Sequence, residues 1–302
     1  MRIQTFSIIT GTRACNAACP FCVSKMTPKS CPDQKINWRN FNKACRLAQL
    51  SGVTTVMLTG KGEPTLYPYQ IEEYLRKLKP YDFPFIELQT NGIALTKMST
   101  RLSSAPGTIG SQPDIHKVTS VHEGQPVQWY DLGLNTIAIS VVHWEREMNK
   151  AVYTPNGEHF DLPALIQKLH DIGFSVRLSC IMVKGFIDTP LLVKAMIYFA
   201  KEHKVEQLTF TPVNKPANKE FKGGVEGLTD DRVTEIRDYL DGAGTRLLEL
   251  PHGAIVYDVI GQNACLSNCL KLDPNTTELR NLIFHQDGRL RWDWQYEGAI
   301  IL

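Results

Sequence analysis

Apolar and polar positions alternate along the chain in two rhythms. Short apolar runs rich in β-branched residues, such as VTTVMLT at 53–59 and TIAISVV at 136–142, have the length of buried strands. Between such runs, apolar residues recur every three or four positions. Over 37–50 they fall on Phe41, Ala44, Cys45 and Ala48, one face of a helix. The pattern predicts strands at 2–10, 53–59, 85–89, 136–142, 176–183, 207–211 and 245–250. It predicts helices at 37–50, 70–78, 162–172, 191–203 and 230–240. Asp161, ahead of Leu162 and Pro163, is placed to cap the helix at 162–172, and Gly173 to end it. The alternation pauses over 103–128, a Ser-, Gly-, Pro- and His-rich connection too long for a plain turn.

Repeated strand–helix units give an α/β fold. A mainly parallel sheet is covered by helices and curves into a partial or closed TIM-like (β/α) barrel over residues 1–250. From 251 to 302 the rhythm changes. Runs at 279–284 and 290–294, around Asp287-Gly288, read as a β-hairpin within a small C-terminal extension. Trp292, Trp294 and Tyr296 alternate, so on a strand they share a face, as packing or as a pocket wall for a planar ring. The extension is expected to close the barrel and line a substrate pocket, while leaving the N-terminal motifs independent of it.

Composition narrows the classes. The chain has 302 residues, 43% hydrophobic and 21% charged, with formal net charge +2. That suits a large packed core and excludes a disordered chain. No dense basic block stands out, which argues against a nucleic-acid partner. No apolar run approaches the roughly 20 residues of a membrane span, and the first residues lack a signal-peptide pattern. A cytoplasmic location is the expectation. Disulfides are rare there, so the eight cysteines serve metal binding or packing.

Three cysteines sit together just after the first strand. Cys15, Cys19 and Cys22 have the spacing C-x3-C-x2-C, with Phe21 before the last. Strand C-termini are where α/β barrels build active sites. Electron-transfer clusters take four cysteines, so three ligands leave one iron open for a cosubstrate. Zinc completed by Cys265 and Cys269, or plain packing thiols, are the rival readings. After the second strand comes Thr59-Gly60-Lys61-Gly62-Glu63-Pro64. Gly62 permits close backbone approach, and Pro64 stiffens the turn.

These two motifs together resemble the signature of radical S-adenosylmethionine (SAM) enzymes, and the resemblance covers roughly the first 215 residues. It implies a [4Fe-4S] cluster on Cys15, Cys19 and Cys22. SAM would chelate the open iron, its methionine amino group meeting the backbone and Glu63 of the Gly62-Glu63 motif. A reduced cluster would cleave SAM to a 5′-deoxyadenosyl radical that takes hydrogen from a substrate. Family positions add Phe21, Thr90, Asn91, Ser140, Arg177 and Ser179 as candidate cofactor contacts. Thr90 and Asn91 read equally as turn residues, and Ser140 and Ser179 as core hydroxyls. Arg177 needs a partner in a buried strand, expected to be a carboxylate of SAM or substrate. His116, His122 and His143 are candidate acid–base groups, or surface and loop residues.

The layout further resembles the cyclase branch that begins molybdenum-cofactor synthesis, including 176–185 and the hairpin 282–290. It departs from that branch past the hairpin turn, where Trp292 and Trp294 stand instead of a cysteine, and at the end, Ala299-Ile300-Ile301-Leu302 instead of Gly-Gly. Relatives in this branch hold a second cluster, so Cys265 and Cys269, with Cys180 or Cys31, form a possible second metal site. The implied partners are a small-molecule substrate and an electron donor such as flavodoxin or ferredoxin. The alternatives are an activase or maturase acting on a protein or peptide, and an electron-transfer iron–sulfur protein. A peptide-binding domain ahead of the cluster finds no room in the fourteen residues before Cys15. An electron carrier has no use for Gly62-Glu63.

Overall fold

The computed structural model describes residues 2–26, 35–97, 114–154, 156–213, 225–250, 253–267, 278–294 and 296–302. The first half runs β1 (Ile3–Ile9), α1 (Val23–Met26), α2 (Trp38–Leu50), β2 (Thr55–Thr59), α3 (Pro68–Leu78), β3 (Phe85–Thr90), α4 (Gln125–Asp131), β4 (Thr136–Val141) and α5 (Arg146–Tyr153). Then come α6 (Leu162–Ile172), β5 (Ser175–Met182), α7 (Pro190–Glu202), β6 (Gln207–Pro212), α8 (Asp230–Ala243), β7 (Thr245–Leu250), β8 (Ala254–Val259), β9 (Gln262–Leu266), β10 (Leu279–Phe284) and β11 (Leu290–Arg291). Every strand and helix read from the periodicity is present. Helices α1, α4 and α5 and the hairpin of β8 and β9 come in addition. Asp161 caps α6 by accepting from Ala164 N, and Gly173 ends it in the left-handed region.

The described strands form one sheet in the order β11-β10-β1-β2-β3-β4-β5-β6-β9-β8-β7. From β10 through β1–β6 to β9 all neighbours are parallel. The flanks β11, β8 and β7 are antiparallel. Among the described residues β11 and β7 do not pair, so the barrel is partial rather than closed. The sheet continues past residue 250, with β9 extending it beside β6 and β10 beside β1. The 279–291 hairpin is present, but its first strand lies parallel to the strand that carries the cysteine loop. Two further bonds tie this region to the start of α2 and to that loop. Asn37 N donates to Gln286 O, and Gln286 Nε2 donates to Gly11 O at 2.7 Å. The N-terminal motifs therefore share hydrogen bonds with this segment.

Alternation along the strands makes two different faces. Outward residues such as Phe6, Ile8, Val56, Leu58, Ile137, Ile139, Val176, Leu178 and Phe210 are buried in the apolar core with the helices. Phe41 of α2 anchors one part of it, 5.2 Å from the Phe284 ring and 5.4 Å from Tyr74. Truncating such a residue to Ala costs roughly 3–5 kcal/mol. Inward residues are Thr5, Ser7, Met57, Thr59, Gln89, Ala138, Ser140, Ser179, Thr209 and Thr211. Closed barrels fill this space with bulky Val, Ile and Leu. Here the inward side chains are mostly small or polar, and a cavity of about 570 Å³ remains.

The expected aromatic stripe is corrected. Strand β11 ends at Arg291, and the following residues bend. Trp292 and Tyr296 are exposed. Trp294 alone of the three lines the cavity.

Candidate active site

The loop after β1 is fastened from several sides. Thr12 Oγ1 meets Tyr67 OH at 2.6 Å, and Gly11 N donates to Gln70 Oε1 at 2.5 Å. Ala18 N donates to Tyr153 O at 2.8 Å, tying the loop to the end of α5. Phe21 packs edge-on against the Tyr153 ring at 6.4 Å. Around these two residues lies a small apolar cluster with Val142, Val152 and Val183. Cys15 is exposed at the rim, and Cys19 and Cys22 are half-buried. The Cys15 sulfur accepts from Ala17 N at 3.4 Å and from Asn91 Nδ2 at 3.9 Å.

Glu63 is the hub behind this loop. Its carboxylate is buried. Oε1 accepts from Thr65 N at 3.1 Å, from Thr65 Oγ1 at 2.6 Å and from Thr90 Oγ1 at 2.6 Å. Oε2 accepts from Asn91 N at 2.9 Å. A carboxylate oxygen has about two lone-pair sites, so the chain's own donors saturate Oε1 and leave one acceptor site on Oε2. Burial raises the Glu63 carboxyl above its ordinary value, opposed by these hydrogen bonds. Glu63 N donates to Ala14 O at 2.9 Å, laying the cysteine loop on the Gly62-Glu63 turn. Asn91 extends the link, donating through Nδ2 to Asn16 Oδ1 at 2.7 Å.

Two adjoining cavities open from this assembly. The first, about 310 Å³, is lined by Cys15, Cys19, Cys22 and Phe21 together with Gly62, Glu63, Thr90, Asn91, Ser140 and Tyr153. The second is the 570 Å³ barrel interior. Val23, Thr59, Gly60, Gln89, Ser140, Ile181 and Thr211 line both and form the seam. Ser179 and Arg177 line only the larger one. Arg177 faces inward, but its carboxylate partner is the chain's own Glu87, with Nη2 to Oε1 at 2.5 Å. The chain thus supplies one carboxylate partner for Arg177 itself, and Nε is left without one. None of His116, His122 and His143 lines either cavity. His122 pairs with Tyr69 OH, and His143 stacks on Trp144. Sequence reasoning missed Gln4, Ser7, Lys61, Glu87, Arg280 and Asn281. The inward alternation of β1 and β3 gave a signal for Ser7 and Glu87, and nothing local marked the others.

The donor set fits a [4Fe-4S] cluster. Among the described residues, three thiols and no fourth cysteine line the smaller cavity. Among the described residues no group of three His, Cys, Asp or Glu stands ready for a single metal ion. Cluster cysteines each bind a different iron, so they need not converge on one point. Desolvation raises the Cys15 thiol, and it raises Cys19 to about 12, with Cys22 and Cys15 adding to the latter. Such thiols ionise together when a metal supplies compensating charge. For a second metal site the structure offers less. Cys269 and Cys31 lie outside the described residues. Cys180 is buried in the apolar core, on the opposite sheet face from Cys265, which lines the cavity.

The sequence model of the radical SAM superfamily matches residues 9–192. A GTP 3′,8-cyclase from Staphylococcus carnosus (strain TM300) is 22% identical over 240 residues, 76% of this chain and 60% of that relative. The chain thus spans less than two thirds of that relative's length. Among solved structures, anSMEcpe with bound AdoMet and Kp18Cys peptide aligns at TM-score 0.61 with 12% identity, over 99% of this chain and 77% of that one. Streptococcus suis SuiB aligns at TM-score 0.58 with 14% identity, over 96% and 60%. These structures share the fold. No helix among the described residues is long and apolar enough to cross a membrane. With a family match over more than half its length and the cysteine loop in place at the strand end, the chain belongs to the radical SAM superfamily, whose members are enzymes that use a [4Fe-4S] cluster and SAM.

Proposed function

We propose that this chain cleaves SAM at a cluster held by Cys15, Cys19 and Cys22 and turns over a small molecule in the barrel interior. The carrying observation is the seam, where seven residues line both the cysteine cavity and the larger cavity. The larger volume lies in the range of small-ligand sites. When bound, the reduced cluster supplies the electron that splits SAM into methionine and a 5′-deoxyadenosyl radical. The chain's residues hold the geometry. Gly62 lets Ala14 approach, and Glu63 locks Thr65, Thr90 and Asn91 into one unit. The acceptor site left on Glu63 Oε2 is the one offered to the SAM amino group. Asn91 steadies Asn16 and donates to the Cys15 sulfur. Ser140, at the seam, offers its hydroxyl to the polar end of SAM, and Phe21 and Tyr153 shield the loop from water. Exposed Cys15 marks the side from which an electron donor such as flavodoxin or ferredoxin reaches the cluster.

Anaerobic reconstitution tests this reading. The protein should hold about four irons per chain and form 5′-deoxyadenosine, and replacing all three cysteines by Ala should abolish both. A triple variant that still cleaves SAM would overturn the assignment. The likeness to a peptide-bound structure favours a second reading, a peptide or protein substrate. Fractionated cell extract separates the two. Faster SAM cleavage with the low-molecular-mass filtrate supports the first reading. Acceleration by the retained fraction alone supports the second.

A further inference from the structure

The wall of the larger cavity holds polar groups that the protein leaves unsatisfied. Ser7 Oγ, Gln4 Nε2 and Arg177 Nε are buried there without a hydrogen-bond partner. Two of these can only donate. Ser7 is fully buried, so its hydroxyl reaches no bulk water. Buried polar groups are normally paired, and an exception calls for an explanation.

The charges point the same way. The cations lining the cavity are Lys61, Arg177 and Arg280, and no Asp or Glu stands among the described lining residues. Glu87 lies behind Arg177 and engages Nη2 alone; Nε, on that same edge of the guanidinium, stays without a partner. Cys265 also lines this end, and both Arg177 and Arg280 bear on its thiol. Arg177 and Arg280 therefore stand about one pocket. From Arg177 to Ile181 at the seam is about 13 Å along β5 at the usual strand rise. Lys61 sits near the other end, its Nζ 5.4 Å from the centre of the Trp294 ring.

We propose that the substrate is an anion, a small molecule carrying a carboxylate or phosphate group held at the inner end of the barrel by Arg177 and Arg280. Charge-assisted pairing with a guanidinium suits both acids. Gln4 and Ser7 complete the donors on the β1 side. The acid group anchors the molecule far from the cysteine loop, and the rest extends toward Ser140 and Gln89 at the seam. Lys61 and Trp294 flank the upper part, where a planar or further acidic portion fits. This rests on the reading of the cavity as the substrate site.

The test uses the full chain and three probes of similar size: benzoate, phenyl phosphate and neutral benzyl alcohol. Binding is followed by ligand-observed NMR. Benzoate or phenyl phosphate should bind at least tenfold more tightly than benzyl alcohol, and the better of the two identifies the acid. Arg280→Gln should weaken that anion at least tenfold, and Arg280→Lys should restore part of the loss. The double change Arg177→Gln with Glu87→Gln removes the second cation without stranding a buried carboxylate, and should weaken the anion similarly. Equal binding of benzyl alcohol, no binding of either anion, or undiminished anion binding in both variants would overturn the proposal. SAM cleavage by the reconstituted wild-type chain is scored separately, so failure of the anion leaves the cluster reading to its own test.

Discussion

Gly62→Ala is the sharpest perturbation the site offers. A Cβ at Gly62 would lie 2.0 Å from Ala14 O and 2.7 Å from Arg13 C, both backbone atoms. Ordinary contacts begin at 3.4 Å, so the cysteine loop must retreat by about 1.4 Å. No side-chain rotation relieves the clash. The retreat breaks the 2.9 Å bond from Glu63 N to Ala14 O. One hydrogen bond is worth about 1 kcal/mol and overpacking strain about 1–3 kcal/mol, together about 2–4 kcal/mol. That corresponds to roughly 30- to 700-fold in an equilibrium constant. The cost falls on the loop, because the outward core of β1 and β2 is untouched. The assay is iron content after anaerobic reconstitution, SAM affinity by calorimetry and thermal unfolding, run in parallel. The expected result is lower iron content or a SAM affinity reduced at least thirtyfold, with the unfolding midpoint little changed. Gly242→Ala is the control. Its Cβ meets nothing within 4 Å in helix α8, so stability should rise by about 0.5–1 kcal/mol with the site unaffected. Full iron and wild-type SAM affinity in Gly62→Ala would refute the close-approach argument.

Four further outcomes follow from the geometry. Glu63→Gln sets an amide donor against the hydroxyl and backbone donors of the hub; it should cost about 1.5–3 kcal/mol in urea unfolding, and unchanged stability with lost SAM binding would make Glu63 a SAM ligand only. Asn91→Leu removes an N–H donor from the Cys15 sulfur and should lower the reduction potential of the reconstituted cluster, read by potentiometric titration; an unmoved or raised potential would refute it. Burial lowers the His159 pKa from the ordinary 6.5, so its stabilising contribution is complete above that value and is lost as pH falls through the lowered one. His159→Phe should therefore flatten the loss of unfolding free energy between about pH 7 and 5, and an unchanged slope would dismiss His159 as its source. Removing residues 251–302 strips partners from β1, β6 and β7, and should abolish cooperative unfolding by circular dichroism; a truncated chain that still unfolds cooperatively and cleaves SAM would show those pairings to be dispensable.

How much of this was legible in the sequence depends on how local each signal is. The cysteine spacing, the Gly62-Glu63 turn and the buried strands are written in adjacent residues, and the structure sets the first two side by side. Helix α5 was missed because Arg146–Tyr153 buries only Asn149, Val152 and Tyr153, too few for an apolar stripe. The β8–β9 hairpin was missed because its turn uses Ile260 and Gly261, at φ 53° and 82°, where an Asn-Gly pair is the familiar marker. Arg177 was legible as a buried charge, yet Glu87 stands 90 positions away and carries no local mark of the pairing. Glu63 was singled out for its motif, whereas its hydrogen-bonding partners on β3 emerge only when β2 and β3 pair. The cavity itself was implicit in the Thr, Ser and Ala residues between apolar neighbours, a pattern that equally suits a solvent-facing sheet.

The strand that launches the cysteine loop lies between neighbours of very different sequence distance. Strand β1 pairs with β2 about fifty positions later, as Thr5 with Thr55, and with β10 at a separation like that of Thr5 and Arg280, 275 positions. During synthesis the first pairing forms early and the second must wait for most of the chain. The emerging polypeptide can thus assemble the iron-binding loop and its Glu63 support well before Arg280 arrives to complete the chamber. Meanwhile the open edge of β1 presents unpaired backbone groups, a template for association with other nascent chains. Docking of β10 across so long a loop is expected to be slow. The order of assembly therefore places the cysteine loop ahead of the strand that walls the chamber, and cluster insertion is safest after that last strand has docked.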